Sequence, residues 1–227
     1  MTSQNGIVSA KRFDVGREIL KWIAIATMTV DHIGAVIYPE YIILRIIGRL
    51  AFPIFCYLLV LGMETTRNPK NYLMRLLIFA VISQAPFYLA LGYAPFEMLN
   101  IFFTLSFGVL FLMNPILILI PVFASLVLNF DYGLYGILWI ACMRLLRANA
   151  KYGVVALILV GASSLLDSDI QIFSLLALPI ILLHETGYIH IEREVSENAI
   201  YPRWTKYIYY MYYPVHLTIL YLVKLNS

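Results

Sequence analysis

The sequence has little charge and almost no cysteine. Charged residues make up 13% of the chain and hydrophobic residues 62%, and the mean hydropathy is +0.83. So few polar side chains cannot cover the surface of a soluble globule, which excludes a water-soluble enzyme or binding domain. The 2 cysteines, Cys56 and Cys142, both lie in apolar runs. We expect them to be small buried hydrophobic residues and not a disulfide.

Motifs that carry common chemistries are also missing. The chain has no His-Glu-x-x-His or Cys-x-x-Cys spacing and its 4 histidines are scattered, so we expect no metal site. It has no Gly-rich phosphate loop and no serine nucleophile elbow. No basic face interleaved with aromatic residues is present, which argues against nucleic acid as a partner. We expect no permanently bound cofactor.

No linker divides the chain. It contains no Ser/Gly-rich stretch, no charge run and no internal repeat, which predicts one integral membrane domain over residues 1–227. Lys11, Arg12 and Asp14 precede the first apolar run without a small-residue cleavage site. This run is therefore predicted to be an anchor and not a cleaved signal peptide.

What the sequence does contain is a series of apolar runs. They lack the alternation of a barrel strand, and only helices and closed barrels satisfy the backbone in lipid. We therefore predict an all-α, polytopic transmembrane helix bundle of about nine spans. The runs are 18–37, 42–62, 72–91, 99–113, 116–128, 132–146, 152–166, 171–185 and 207–223. Residues 99–128 could instead form one helix kinked at Pro115, but the basic residues of 144–151 would then face outward.

Charge placement predicts the orientation. With nine spans and a cytoplasmic N-terminus, most of the 16 basic residues fall in cytoplasmic segments, and the C-terminus lies outside. The predicted outside loops carry Glu40, Glu97, Asp131, Asp167 and Asp169. Stretch 186–206 is the one long polar connection, and we expect it on the cytoplasmic surface.

Ionisable side chains nevertheless occur inside the first two runs. Asp31, His32, Arg45 and Arg49 lie in otherwise apolar sequence. A charged group at the middle of a bilayer costs about 3 kcal/mol or more, so such a cluster indicates a functional site. The alternative is a set of structural ion pairs and a histidine satisfied at a helix interface.

Helical geometry relates these residues to one another. Lys21 precedes His32 by about three turns, so the two share a face along which a groove could lead from the cytoplasm. Arg45 and Arg49 share a face of the second helix. Asp31 points about 100° away from His32, which predicts that it pairs with an arginine. One carboxylate against two guanidinium groups leaves a positive excess suited to a phosphate, a carboxylate or an oxyanion.

Polar residues in other runs fall at a similar depth, which a shared cavity would explain. They are Gln84, Asn100, Thr104, Tyr132, Tyr135 and His216. Gln84, Asn100, His216 and the neighbouring Tyr213 are candidate substrate-binding residues. Packing and hydrogen bonds between helices are the alternative explanation for all of them.

Stretches along nearly the whole chain closely resemble the TraX family. These stretches are LKWIAIATMTVDHIG, RIIGRLAFPIF, GMETTRNPKNYLMRLLIFAVISQAPFYLA, LNIFFTLSFG and YYMYYPVHLTIL. The family is named for an enzyme that acetylates the N-terminal residue of conjugative pilin, and it resembles the wider acyltransferase-3 group. In that group a first-helix histidine follows a basic residue in a run like L-R-G-[IV]-A, which Leu20-Lys21-Trp22-Ile23-Ala24 resembles. Here the basic residue is lysine, and tryptophan replaces the glycine.

The resemblance implies an activity and residue roles. His32 would be the catalytic general base, with Asp31 and Arg49 beside it, and Arg45 or Arg49 would contact the donor or the oxyanion. Lys21 would hold the phosphates of the carrier. The implied reaction is acetyl transfer from acetyl-CoA to an amine or hydroxyl at the extracytoplasmic side of the bacterial inner membrane. The acceptor could be a protein N-terminus, a glycan, a lipid or a small amine. A transporter or channel that uses the buried charges, and a non-enzymatic assembly scaffold, are the alternatives.

Overall fold

The computed structural model describes residues 11–166, 170–189, 192–195 and 205–226 as a helical bundle. The predicted all-helical architecture is confirmed for this bundle. Its α-helices are α1 (Val15–Val36), α2 (Ile42–Gly48), α3 (Ala51–Thr65), α4 (Pro69–Leu91), α5 (Ile101–Met113), α6 (Leu119–Ala124), α7 (Gly133–Ala148), α8 (Ala150–Ser163), α9 (Ala177–Glu185) and α10 (Thr205–Asn226). Short 3₁₀ turns at Pro115–Ile118, Ser164–Leu166 and Gln171–Leu176 adjoin α6, α8 and α9.

A short antiparallel ribbon lies beside the bundle. Strand β1 (Lys11–Asp14) pairs with strand β2 (Glu192–Val195), with Lys11 opposite Val195 and Asp14 opposite Glu192. The ribbon joins the start of α1 to part of the polar connection predicted at 186–206. The rest of that connection, residues 190–191 and 196–204, lies outside the described residues, as do Asp167 and Asp169.

Three segments of the described chain are long and apolar enough to cross a membrane: Val15–Val36, Ile42–Thr65 and Pro69–Leu91. Shorter apolar helices occupy Ile101–Met113, Pro115–Ala124, Ala150–Leu166 and Gln171–Glu185. Asn114 leaves helical conformation with φ −153° and ψ 116°, so residues 99–128 do not form one kinked helix. Large apolar side chains such as Val81, Leu159 and Ile219 are exposed on the outside of the bundle, as lipid contact requires.

Polar contacts between helix ends define two ends of the bundle. Arg147, in the last turn of α7, binds Glu64 of α3 and Glu185 of α9 at 3.0 and 2.8 Å. We call this the Arg147 end. At the other end, the connection before α7 meets the connection before α5, where the Asp131 amide donates to the Leu99 carbonyl oxygen at 2.8 Å. We call this the Asp131 end. Helices α3 and α7 therefore run in the same direction between the two ends.

Close contact between α1 and α2 aligns their charged side chains. A Cβ atom on Gly48 would lie 2.2 Å from the Asp31 Cβ, and one on Gly34 would lie 2.7 Å from the Leu44 Cβ. Only glycine at both positions lets the two helices approach this closely. The close approach brings the Asp31 carboxylate to the α2 backbone, next to Arg45 and Arg49.

A break in the second span occurs at the arginine pair. Predicted run 42–62 is two helices in the structure, because α2 ends at Gly48 and α3 begins at Ala51. The Arg49 amide is shared between the carbonyl oxygens of Arg45 and Ile46, at 3.2 and 3.1 Å. Pro53 cannot donate a backbone hydrogen bond in the first turn of α3, where none is needed. The break turns the Arg49 side chain into the bundle.

Candidate functional site

A cavity of about 530 Å³ lies between α1, α2, α3, α4, α5 and α10 towards the Asp131 end. Five of the residues predicted from the sequence to be catalytic or substrate-binding line it: Asp31, His32, Arg45, Arg49 and Tyr213. Apolar side chains form much of the remaining wall, among them Met28, Phe52, Phe87, Leu91 and Phe102. An apolar chamber with a few convergent polar groups is the usual form of a small-molecule site.

The Asp31 carboxylate forms salt bridges with both Arg45 and Arg49. Its Oδ2 accepts from the Nη1 of Arg45 at 2.8 Å, and its Oδ1 accepts from the Nη2 of Arg49 at 2.5 Å. Arg45 Nη1 also donates to the Asp31 carbonyl oxygen at 3.1 Å. The prediction that Asp31 pairs with arginine and does not orient the imidazole is confirmed. Buried ion pairs of this kind need every charge to be matched.

Arg49 uses most of its donors within the bundle. Its Nη1 donates to the Tyr132 hydroxyl at 3.2 Å and to the Oε1 of Gln171 at 2.9 Å, and its Nε donates to the Arg45 carbonyl oxygen at 3.2 Å. Arg49 thus connects α1, α7 and the turn before α9. Arg45 is more exposed, and its Nε and Nη2 have no hydrogen-bond partner among the described residues. These groups remain able to bind a ligand.

His32 and His216 form a buried pair across α1 and α10. The Nδ1 of His32 lies 2.7 Å from the Nε2 of His216, and the Nδ1 of His216 lies 2.8 Å from the carbonyl oxygen of Tyr212. A carbonyl oxygen only accepts, so in neutral His216 the proton belongs on Nδ1 and Nε2 is an acceptor. His32 must then donate through Nδ1, which leaves its Nε2 unprotonated.

The second ring nitrogen of His32 is free of hydrogen bonds to the described residues. Nε2 of His32 makes no hydrogen bond to any described residue, and His32 lines the cavity. An unprotonated imidazole nitrogen on a residue that lines a cavity is suited to accept a proton from a bound molecule. His216 does not line the cavity in this structure, so its contacts are those of a residue that positions His32.

Aromatic packing fixes both imidazoles. Tyr213 packs edge-on against His32 and His216, with ring centroids 5.8 and 5.6 Å apart. Tyr212 stacks on His216 at 5.0 Å, and its hydroxyl lies 2.7 Å from the Thr29 hydroxyl. Tyr213, predicted from sequence as a substrate-binding residue, lines the cavity. Neither imidazole can therefore turn without moving a packed tyrosine.

Asp131 is the site residue that sequence reasoning assigned to an outside loop. The Thr104 hydroxyl donates to the Asp131 carbonyl oxygen, and Asp131 lines the cavity. Burial raises the pKa of the Asp131 carboxyl to about 6, against the lowering effect of Arg49. With Asp131 ionised, two carboxylates face two arginines. The positive excess expected from the sequence therefore exists only while Asp131 is protonated.

Tyr132 occupies an unusual backbone conformation beside Asp131. Its φ is +60°, in the left-handed region that a non-glycine residue rarely adopts, and Gly133 follows with φ +46°. This turn directs the Tyr132 ring onto Phe52, with centroids 3.8 Å apart, and its hydroxyl onto Arg49. Strain of this kind is concentrated at functional sites.

Asn100 and Gln84 lie at the α4–α5 interface and do not line this cavity. Asn100 caps α5, and its Nδ2 donates to the Ala80 carbonyl oxygen at 2.7 Å and to the Gln84 Oε1 at 2.6 Å. Gln84 also donates to the Met98 carbonyl oxygen at 2.8 Å. These contacts are hydrogen bonds between helices, which is the alternative explanation given for the two residues from the sequence. A role for them in substrate binding stays a prediction.

Lys21 lies on α1, about three turns before His32, at the edge of the site. Its Nζ pairs with the Glu18 Oε1 at 2.5 Å and lies 4.8 Å from the centre of the Tyr209 ring. Tyr209 donates to Glu18 at 2.7 Å and lines the cavity, whereas Lys21 does not. The cavity thus extends to a residue in contact with Lys21. Within the described part of the chain, no three His, Cys, Asp or Glu side chains are grouped so as to hold a metal ion.

Comparison with known proteins identifies relatives of this chain. The family model described as TraX protein matches residues 16–224. A curated relative, "Probable fimbrial assembly protein FimC, serogroup H1" of Dichelobacter nodosus, is 28% identical over 244 residues, which covers 93% of this chain and 96% of the relative. An uncharacterized protein of Rickettsia prowazekii (strain Madrid E) is 38% identical over 92 residues, which covers 40% of this chain and 34% of that protein. No solved structure matches.

Proposed function

Since this chain belongs to the TraX family, we propose that it is an integral membrane acyltransferase that transfers an acetyl group from acetyl-CoA to an amine or hydroxyl acceptor. The observation that carries this proposal is the His32 imidazole. It lines an apolar cavity, its tautomer is set by His216, and its free Nε2 lies in the same chamber as Arg45. A base and a cation in one enclosed space are what acyl transfer requires.

The proposed reaction is direct transfer. The acceptor nitrogen or oxygen attacks the thioester carbonyl carbon while its proton passes to the Nε2 of His32. A tetrahedral oxyanion forms and is stabilised by the free N–H groups of Arg45, with Arg49 as the second candidate. The carbon–sulfur bond then breaks, and His32 returns the proton to the departing CoA thiolate. A covalent acetyl-histidine intermediate is a variant of this scheme, which single-turnover quenching distinguishes.

Asp31 and His216 act through other residues in this scheme. Asp31 orients the guanidinium groups of Arg45 and Arg49. His216 keeps the proton of His32 on Nδ1 and would share the charge of the imidazolium that forms during transfer. Lys21 is assigned to the carrier phosphates, supported by its contact with Tyr209 at the margin of the cavity.

The acceptor is inferred from the relatives. The protein of Dichelobacter nodosus is named a probable fimbrial assembly protein, and we propose that the present chain modifies a pilus subunit at its N-terminal amine. A glycan, a lipid or another small amine would satisfy the same chemistry.

We also propose a multi-pass topology in the bacterial inner membrane. Three long apolar segments and the exposed apolar side chains support insertion into a bilayer. The Arg147 end, which collects Arg17, Arg144 and Arg147, would face the cytoplasm under the positive-inside rule. The Asp131 end would then face outward, with about nine passes between the two.

Radiolabelled acetyl-CoA provides the test. Purified protein in lipid nanodiscs is mixed with acetyl-labelled CoA and alaninamide, a small mimic of a protein N-terminus. The proposal expects labelled N-acetylalaninamide and an equal amount of free CoA thiol. Absence of both products, with no binding of acetyl-CoA, contradicts it. A transporter would instead show ion or solute flux independent of acetyl-CoA, and a scaffold would show neither.

A further inference from the structure

A second cavity, of about 480 Å³, lies beside the first at the Asp131 end. Three residues line both cavities and form the wall between them: Arg49, Asp131 and Tyr132. The other lining residues are Phe130, Gly133, Leu134, Tyr135, Ser163, Ser164 and Gln171. The second cavity, which we call the Tyr135 chamber, contains none of the residues predicted from sequence to bind the donor except Arg49.

Two polar groups of this chamber have hydrogen-bonding capacity that no described residue uses. The Tyr135 hydroxyl oxygen is buried and makes no hydrogen bond within the described part of the chain. The Asp131 carboxyl group accepts a hydrogen bond from the Tyr132 backbone amide but makes no salt bridge to a described residue, although it shares the wall with Arg49. A buried hydroxyl without a partner costs about 1–3 kcal/mol. A ligand that supplies the missing partner would recover this energy.

The remaining polar groups of the chamber are already satisfied. Ser163 and Ser164 donate to the carbonyl oxygens of Val160 and Gly161, at 2.8 and 2.7 Å. The Gln171 Oε1 accepts from Arg49, and its Nε2 donates to Ser174 at 3.0 Å. The groups left for a ligand are thus an anionic acceptor and a phenol. Together they favour a small cation with several N–H donors, which is a primary ammonium group.

We propose that the Tyr135 chamber is the acceptor subsite, in which a primary amine binds as its ammonium form between Asp131 and Tyr135. This inference rests on the proposed function, because it takes the His32 cavity as the donor site. The two substrates would approach a shared wall from opposite sides. The bound ammonium loses one proton to water. The free amine then passes the shared wall into the His32 cavity, where it attacks the thioester and loses its second proton to His32.

Substituted cysteines test this subsite without requiring catalysis. Ser163→Cys introduces an exposed thiol at the end of α8, and Leu134→Cys introduces one on α7, and both positions line the chamber. Each variant is treated, in intact cells and in nanodiscs, with a membrane-impermeant cationic methanethiosulfonate reagent. The matched control is Tyr152→Cys, an exposed position at the other end of α8. Wild-type protein gives the background from the buried Cys56 and Cys142.

We expect both chamber cysteines to react in intact cells and Tyr152→Cys to react only after permeabilisation. Alaninamide at ten times its dissociation constant should slow labelling about tenfold, whereas N-acetylalaninamide and acetyl-CoA should not. Asp131→Asn or Tyr135→Phe in the Ser163→Cys background should remove the protection. Labelling of either chamber cysteine only after permeabilisation, or equal protection by N-acetylalaninamide, overturns the subsite. Protection without any acetyl transfer supports the subsite while contradicting the proposed enzyme activity.

Discussion

The Nδ1 of His32 lies 2.7 Å from the Nε2 of His216, so the first and last helices of the bundle are joined through two imidazoles. The residues are 184 positions apart in the sequence. The pair continues to the Tyr212 carbonyl oxygen, which makes the direction of both hydrogen bonds unambiguous for neutral rings. Its consequence is that His32, which lines the cavity, carries its unprotonated nitrogen at Nε2.

Replacement of His216 tests this positioning role. His216→Ala should lower kcat by about 10–100-fold, the size of effect known for removing the hydrogen-bond partner of a metal-binding histidine. His216→Gln should retain activity within a few-fold, because an amide oxygen can still accept from the Nδ1 of His32. The measurement is CoA release under saturating acetyl-CoA, with folding followed by the melting temperature. Equal activity of His216→Ala and wild type would remove His216 from the account.

The two arginines should differ in their response to lysine. Arg49→Lys should lower the melting temperature clearly, since one ammonium group cannot replace hydrogen bonds to Asp31, Tyr132 and Gln171 that are worth about 1–3 kcal/mol each. Arg45→Lys should fold normally and raise the KM for acetyl-CoA. Thermal unfolding and steady-state kinetics on both variants check this. Near wild-type stability and activity of Arg49→Lys would show that the hydrogen bonds of Arg49 do not stabilise the bundle.

The pH dependence of amine binding should follow Asp131, which lies in the connection before α7. With a pKa of about 6, the carboxyl is about nine-tenths ionised at pH 7 and about one-tenth ionised at pH 5. Arg45, Arg49 and Asp31 are the other charged groups that face it. Protection of Ser163→Cys by alaninamide should therefore weaken as pH falls through 6.

Asp131→Asn provides the control for this titration. The variant should bind alaninamide weakly at every pH between 5 and 7.5, with no inflection near 6. A wild-type profile that is flat across this range, or an inflection that persists in the variant, is inconsistent with Asp131 as the carboxylate that binds the amine.

Gly48→Ala tests the helix contact that builds the site. The added methyl group would lie 2.2 Å from the Asp31 Cβ, so α1 and α2 must separate. Overpacking of this kind costs about 1–3 kcal/mol, and we expect activity to be lost together with stability. Ile47→Ala, at an exposed position of the same helix, should leave the melting temperature nearly unchanged. Equal melting temperatures for the two variants would contradict the tight contact.

Part of the site could be predicted because its signals are local. Charged residues inside apolar runs identify Asp31, His32, Arg45 and Arg49, and helical spacing alone predicts that Asp31 turns from His32 towards an arginine. The helices themselves follow from the apolar runs. The break between α2 and α3 at Arg49 does not follow from the apolar run. It depends on the hydrogen bonds that the buried Arg49 guanidinium group makes to Tyr132 and Gln171, which are distant in the sequence.

The rest of the site depends on contacts between distant segments. In the sequence, Asp131 looks like any other charged residue of a short loop. Only in the folded chain do hydrogen bonds to Thr104 and Leu99 place its connection beside the cavity. Gln171 was missed for the same reason. Its signal is a polar residue at the start of the apolar run 171–185. The donor direction between His32 and His216 requires the Tyr212 carbonyl oxygen, which no pattern in the sequence relates to His32.

The most direct test of the central claim compares CoA release from acetyl-CoA by wild type and His32→Ala in nanodiscs with alaninamide present. Thr27→Ala, on the same helix and outside the cavity, serves as the matched control. The account predicts that His32→Ala loses activity by about 10²–10⁴-fold while it keeps the melting temperature of a folded bundle, and that Thr27→Ala matches wild type. CoA release by a folded His32→Ala at the wild-type rate would contradict it.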